Sequence, residues 1–312
     1  MNAAAEGPRA NSLVEGLRPR RRGALRLVLR RLGRQPVTLA ALAVLVALLV
    51  VGALAHEIAP EGWDWINLSD GGRNLSPTFA GGNLLGTDNI GRSVLVITIW
   101  GLHFSEQVAV AGALLAVAIG IAVGAVAGYY GGLLDAVLMR FVDFVIGFPL
   151  LVVMYVALAF LTPVTLWKAT LVFALSLWTF VARVVRARVA SLRAEAFVDG
   201  ARAAGASDLR ILVRHLLPNT AGAVVVSLTS VIGQIAIVEA TVEFFGFGIV
   251  SAITPTLGNL IAAGASTGIG AYNFPAAGWW VWGGPAIVLV LLLVCLNVVG
   301  DGLDAALDPR RR

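Results

Sequence analysis

Lysine occurs once in these 312 residues, as Lys168. A phosphate-cradling G-x-x-x-x-G-K-[ST] loop needs a lysine beside its glycines, so the chain carries no such loop. Cysteine also occurs once, as Cys295 within an apolar run, which excludes a disulfide framework and a cysteine zinc site. The three histidines, His56, His103 and His215, lie in separate segments without H-E-x-x-H spacing and support neither a zinc site nor a catalytic base. The stretch "GASTG" (264–268) carries the letters of a nucleophile elbow around Ser266, but the hydrolase order requires a later histidine and none follows His215. Charge is scarce too. Only 13% of residues are charged and 58% are hydrophobic, with a mean hydropathy of +0.87, far outside the range of a soluble domain.

The chain therefore reads as an all-α, polytopic membrane protein. A span needs roughly 20 apolar helical residues to cross about 30 Å of hydrocarbon. Charge-free stretches at 35–56, 107–134, 144–167 and 215–238, and the run from Trp279 to Val299, meet that need. A further helix from Thr165 to Val185 spans if Lys168 snorkels to the outer interface. The expectation is six transmembrane helices.

Basic residues orient them. With the N-terminus inside, nine fall in residues 1–34, one at Arg140, seven in 183–214 and three in 310–312, against Arg73, Arg92 and Lys168 outside. The positive-inside rule then accounts for the net charge of +5 and the pI near 10.1, without a nucleic-acid partner. Both termini are expected in the cytoplasm. "VGALAHE" resembles a signal-peptidase site, but the 34-residue basic region and bilayer-length apolar core favour a retained first helix. Leu25, Val28, Leu29 and Leu32 share a helical face, so residues 24–34 are expected along the inner leaflet after a solvated basic tail. Trp63 and Trp65 suit the outer interface.

The second span repeats small residues every fourth position: Gly112, Ala116, Gly120, Gly124 and Gly128. Such a face admits another helix at backbone distance, either within the chain or at a subunit or pathway interface.

"VDGARAAGASDLRILVRHLLPN" (198–219) is the charged exception between two apolar stretches. Residues 191–204 are good helix formers and stop at Gly205, a C-terminal punctuation. Ser207 as N-cap and Asp208 at the first position start a second helix, 208–216, ending before Pro218. The product is a helix-Gly-helix hairpin facing the cytoplasm.

This stretch resembles the signature of permease subunits of bacterial ATP-binding-cassette importers: E-A-A, three residues, G, nine residues, I-x-L-P. Asp199-Gly200-Ala201 stand at E-A-A, Gly205 at the glycine and Leu217-Pro218 at the end, with Asp199 for Glu, Gly200 for Ala and His215 for Ile. "LLGTDNIGR" (84–92), "MRFVDFVIGFP" (139–149), "GASDLRILVRHLLPN" (205–219) and "GDGLDAALDPR" (300–310) are similar to the C-type permease of dipeptide, oligopeptide and nickel importers. Ser93, Glu243 and Leu257 depart from that pattern. The resemblance spans roughly residues 25–310.

It implies the type I importer permease fold. Residues about 196–207 would seat as a coupling helix on a cytoplasmic ATPase, with Glu195, Asp199, Gly200, Ala201, Ala204, Gly205, Ala206, Ser207, Leu217 and Pro218 as coupling residues. Implied partners are a homologous second permease, two ATPase subunits or one fused ATPase, an extracytoplasmic solute-binding protein, and membrane lipid of the bacterial plasma membrane. The chain itself would bind no cofactor; ATP and Mg would be bound by the ATPases, and the chain would not be an enzyme. Its cargo would be a dipeptide or oligopeptide, or alternatively nickel or another small solute.

The expected organisation is a basic tail and interfacial helix at 1–34, a first span at 35–56, an extracytoplasmic loop at 57–105, a five-helix core at 106–302 and a cytoplasmic tail at 303–312. The core includes the coupling hairpin 186–218 and an extracytoplasmic loop at 240–278. The segments 57–105 and 244–278 are the expected docking surfaces for the external binding protein. Glu239 and Glu243, four apart on one face at the outer end of the fifth span, either contact a peptide ammonium or a cation at an outer gate, or simply face external water. Asp88 and Arg92 are expected to pair on a helix leading into the second span. Two other classes stay open: a proton-coupled secondary transporter using Glu239 or Glu243, which inverted repeats would support and none is seen, and a membrane scaffold or insertase.

Overall fold

The computed structural model describes residues 33, 35–64, 72–78, 84–249, 254–269 and 278–307, apart from the side chains of 266–269. The expected basic tail, the interfacial helix, Trp65 and the last arginines lie outside the described residues.

The described residues form helices, with one isolated bridge between Thr87 and Ser93. Helix α1 (Pro36–Ala53) starts with proline near N1, where a missing N–H costs nothing, and is followed by the single turn α2 (Ala55–Ile58). Helix α3 (Val94–Tyr130) runs 37 residues, about 55 Å. It begins well before the expected position 107, because residues 94–105 are helix and not loop. Glu106, the charge just before the stretch 107–134, is buried within this helix, its carboxylate filling the space where a Cβ on Gly52 of α1 would lie.

Helix α4 (Gly132–Ile146) and α5 (Leu150–Phe160) replace the straight third span. They meet at an 80° bend, as Pro149 has no N–H to donate and disfavours a helical Phe148 before it. Among the described residues, five helices are individually long and apolar enough to cross a membrane, and six result if this bent pair counts as one span. Helix α6 (Leu166–Arg193) runs past the expected Val185, and Lys168 Nζ donates to the carbonyls of Leu161 and Pro163 in the preceding turn.

The hairpin follows as α7 (Ala196–Ala203) and α8 (Asp208–Ile211). The second helix does not stop before Pro218. A π turn (Leu212–Leu216) carries it into α9 (Leu217–Phe244), with Leu217 N–H bonding to Leu212 O five residues back. The wide turn absorbs the proline's missing donor and ring clash. Within the expected outer loop 240–278 the chain forms α10 (Leu257–Ile269), which packs on α9 and on α11 (Trp279–Leu307). Helix α11 continues past Val299, so residues 303–307 are helix and not tail.

The main core lies among α3, α6 and α9. The small-residue face of α3 meets α6 of the same chain, settling its partner: a Cβ on Gly120 would lie 2.9 Å from Trp178 O, and one on Gly128 would lie 2.6 Å from Arg186 O. Leu133, Val137, Phe141 and Phe144 of α4 and Val152 and Val156 of α5 remain exposed.

A Cβ on Gly124 meets Ala182 O and Arg186 N, backbone atoms that cannot rotate away. Gly124→Val is expected to destabilise by about 2 kcal/mol, read as a lower thermal midpoint in detergent. Gly233→Ala, where an added Cβ meets nothing within 4 Å, should hold or raise that midpoint, since alanine favours the helix by about 0.5–1 kcal/mol.

Candidate functional site

The hairpin at one end of the helices is built from local signals. Glu195 is in extended conformation at the N-cap of α7. Ala204 is the C-cap, and Gly205 follows at φ +80°, a conformation in which a side chain is strained. Ala206 N–H donates to Ala201 O at 3.0 Å and Gly205 N–H to Arg202 O at 2.9 Å, the paired bonds of a Schellman stop. Ser207 is extended and its carbonyl accepts from Ile211 N–H at 2.9 Å, though its side chain makes no capping bond. The restart at Asp208 thus rests on backbone geometry.

One face of this hairpin is anchored. Val198 and Ile211 are fully buried, and Ala201, Ala206 and Leu217 pack against the same core. The other face is open: Glu195, Asp199, Gly200, Ala204, Gly205, Ser207 and Pro218 are exposed. Asp199 keeps a side chain 76% exposed and a loose 3.6 Å pairing with Arg202. Phe197, Leu209 and Val213 are exposed too. Sequence reasoning missed these three apolar side chains, although their placement in a polar, charged segment is the signal that marks them. Leu217 and Pro218 sit apart from the turn, beyond the π segment.

Glu239 and Glu243 lie at the opposite end of α9, roughly 33 and 39 Å from Leu217 at 1.5 Å per residue. Neither faces external water, since they are 1% and 3% exposed. Ser105 Oγ of α3 donates to Glu239 Oε1 at 3.1 Å and accepts from Leu257 N–H at 3.0 Å. Glu243 accepts Ile249 N–H at 3.3 Å on Oε1 and Asn259 N–H at 3.2 Å on Oε2. Its carboxylate therefore sits on the N-terminal turn of α10, where the helix dipole favours an anion. Glu243 and Asn259 also border a cavity of about 600 Å³ against Thr162–Val164.

Asp88 and Arg92 do pair, at 2.7 Å. The backbone there is a turn and not a helix, with Asp88 Oδ1 accepting the N–H groups of Ile90 and Arg92. Two of the scattered histidines also come together, with His56 and His103 ring centroids 5.4 Å apart. His103 Nδ1 donates to Gly52 O and its Nε2 accepts from Gln107, so neither nitrogen is free for a metal. No group of three metal-ligating side chains occurs among the described residues. Trp63 packs edge-on against Trp100 and Phe104 of α3.

The family described as "Binding-protein-dependent transport system inner membrane component" matches residues 116–312. The oligopeptide transport system permease protein OppC of Mycobacterium tuberculosis (strain ATCC 25618 / H37Rv) is 35% identical over 291 residues, 92% of this chain and 94% of that one. The dipeptide transport system permease protein DppC of Bacillus subtilis (strain 168) is 31% identical over 91% of this chain and 85% of its own length. Among solved structures, an inward-facing MetNI methionine ABC transporter chain superposes with a TM-score of 0.56 at 19% identity, over 69% of this chain and 97% of that one, a likeness of fold.

Removing the Glu243 carboxylate leaves two buried amides without an acceptor, at about 1–3 kcal/mol each. In Glu243→Ala, hydrogen exchange at the Ile249 and Asn259 amides should quicken by about tenfold or more, while the amides of α7 exchange as in the wild type.

Proposed function

The chain belongs to the binding-protein-dependent transport system inner membrane component family, and from that membership we propose that it is one half of the translocation pathway of an ATP-driven peptide importer in the bacterial plasma membrane. The relatives named for oligopeptide and dipeptide transport support a peptide cargo. A homologous second permease completes the pathway, a solute-binding protein delivers peptide from outside, and two ATPase subunits or one fused ATPase bind ATP and Mg on the cytoplasmic side.

The observation that carries this reading is the two-faced hairpin. Its inner face is buried in the core through Val198 and Ile211, while Phe197, Asp199, Leu209 and Val213 stay open between the ends of two spans. A rigid, exposed knob continuous with α6 and α9 suits a groove on a moving ATPase. When two ATPases close on ATP, knobs seated on them move as bodies, and the attached helices rock between inward-open and outward-open arrangements. Glu195, Asp199, Gly200, Ala201, Ala204, Gly205, Ala206 and Ser207 form the seat, and Leu217 and Pro218 join it to the span. Glu239 and Glu243 belong to an outer gate through α10. Burial under α10, with both Glu243 oxygens accepting backbone N–H groups, speaks against a water-accessible proton relay. The residues 57–64, 72–78 and 245–249 and the turn before α10 are on the side where the binding protein docks.

Purification of the tagged chain from its native membrane tests the reading. The wild type is expected to bring a second permease and an ATPase, identified by mass spectrometry. Gly205→Pro fixes φ near −65° where the chain needs +80°, and should lose the ATPase while keeping the permease partner. A chain that purified alone in both forms would defeat the importer reading.

A further inference from the structure

Between the hairpin and the far end of the membrane stands one long helix. Tyr129, in the last turn of α3, is 2% exposed and donates its hydroxyl to Asp208 Oδ1 at 2.5 Å. Asp208 is the first residue of α8, three past the Gly205 turn. Arg193, the last residue of α6, holds its guanidinium over the Tyr129 ring, 5.9 Å from the centroid. Arg202 of α7 feels the same hydroxyl, which is the first cause of its guanidinium pKa being raised above the ordinary value. Side chains from the end of α6, from α7 and from α8 thus converge on a ring that belongs to α3.

The other end of α3 is also tied. Ser105 bonds Glu239 of α9 and the first amide of α10. Tyr129 and Ser105 are 24 residues apart on the same unbroken helix, about 36 Å at 1.5 Å per residue. Helix α3 cannot lag behind α6, against which its glycines are packed at backbone distance. What remains to be fixed is whether α3 follows the hairpin, and the hydroxyl bond to Asp208 is a side-chain hydrogen bond that can fix it.

We propose that Tyr129 is a positioning residue that passes movement of the hairpin to α3, and so to the Ser105 contact with α10, through its hydrogen bond to Asp208. The proposal rests on the importer reading above and deepens it. Its hydroxyl touches neither cargo nor ATPase. It acts by making the hairpin and α3 one body, so that an ATPase stroke cannot bend the hairpin alone. A shared two-state element of this kind is what coupling between distant sites requires.

The test uses the complete transporter, with its second permease, ATPase and binding protein, in liposomes, and reads uptake of a labelled mixture of short alanine peptides per ATP hydrolysed. Tyr129→Phe keeps the ring under Arg193 and removes only the hydroxyl. It should assemble with the ATPase and hydrolyse ATP within about twofold of wild type, while uptake per ATP falls about tenfold, the scale of one charge-assisted hydrogen bond lost from one of two states. Asp208→Ala, which removes the acceptor, should show the same fall, the double variant should fall no further, and Tyr130→Phe should behave as wild type. An unchanged ratio in Tyr129→Phe, losses that multiply in the double variant, or a Tyr129→Phe chain that no longer holds the ATPase would each overturn the proposal. A wild-type complex with no ATP-driven uptake would instead defeat the importer reading, an outcome the variants cannot mimic.

Discussion

The rest of the structure depends on the approach of α3 to α6. Lipid tails are as apolar as the side chains, so two membrane helices gain little by burying grease against each other and must gain it by close packing. Gly120, Gly124 and Gly128 bring the α3 backbone within reach of the carbonyls of Trp178, Ala182 and Arg186. Two consequences follow just beyond Gly128. Tyr129 is delivered to the hairpin at Asp208. After Gly131 and Gly132, both at positive φ, the chain turns back as α4 with Asp135 facing Arg186.

The Arg186 fork closes on both oxygens of Asp135, with N–O distances of 2.5 Å. A bidentate pair that is 19% exposed on its acidic side holds orientation better than the half-exposed Arg183–Asp143 pair, because geometry and partial shielding both favour it. With Asp135, Arg140 and Asp143 along its length, α4 belongs at the polar boundary and cannot continue straight into hydrocarbon. The 80° bend at Gly147–Pro149 is where the charged helix gives way to the wholly apolar α5.

What was legible in the sequence was what depends on near neighbours. Gly205 and Ser207 announced the hairpin, and the fourfold spacing from Gly112 to Gly128 announced a packing face, since each rests on a few adjacent residues. The bend was hidden because the stretch after Asp143 contains no charge, and span length alone cannot tell one helix from two. The Asp88–Arg92 pair was legible as a pair but not as a turn: i,i+4 spacing closes an Asx-type loop as well as a helix. Least legible was the burial of Glu239 and Glu243. Their donors come from Ser105, 134 positions away from Glu239, and from backbone amides beyond the end of α9, and no local pattern reports a partner at that distance.

Those two acids show how differently the two ends of the helices are held. A buried carboxylate is costly unless donors meet it, and the Glu243 donors lie in the segment that folds over it, so docking of α10 and burial of the acid require each other. Gly248 and Gly258 make the closure possible: a Cβ on the first would overlap the Glu243 side chain, and one on the second would meet the Ala240 backbone. Water can replace amide donors to a carboxylate, but it cannot replace the apolar contact of α3 with α6. Opening the far end therefore costs less than separating the helix pair. A stiff pair bearing a cover held by exchangeable polar contacts fits a transport protein, whose pathway opens at one end without its scaffold coming apart.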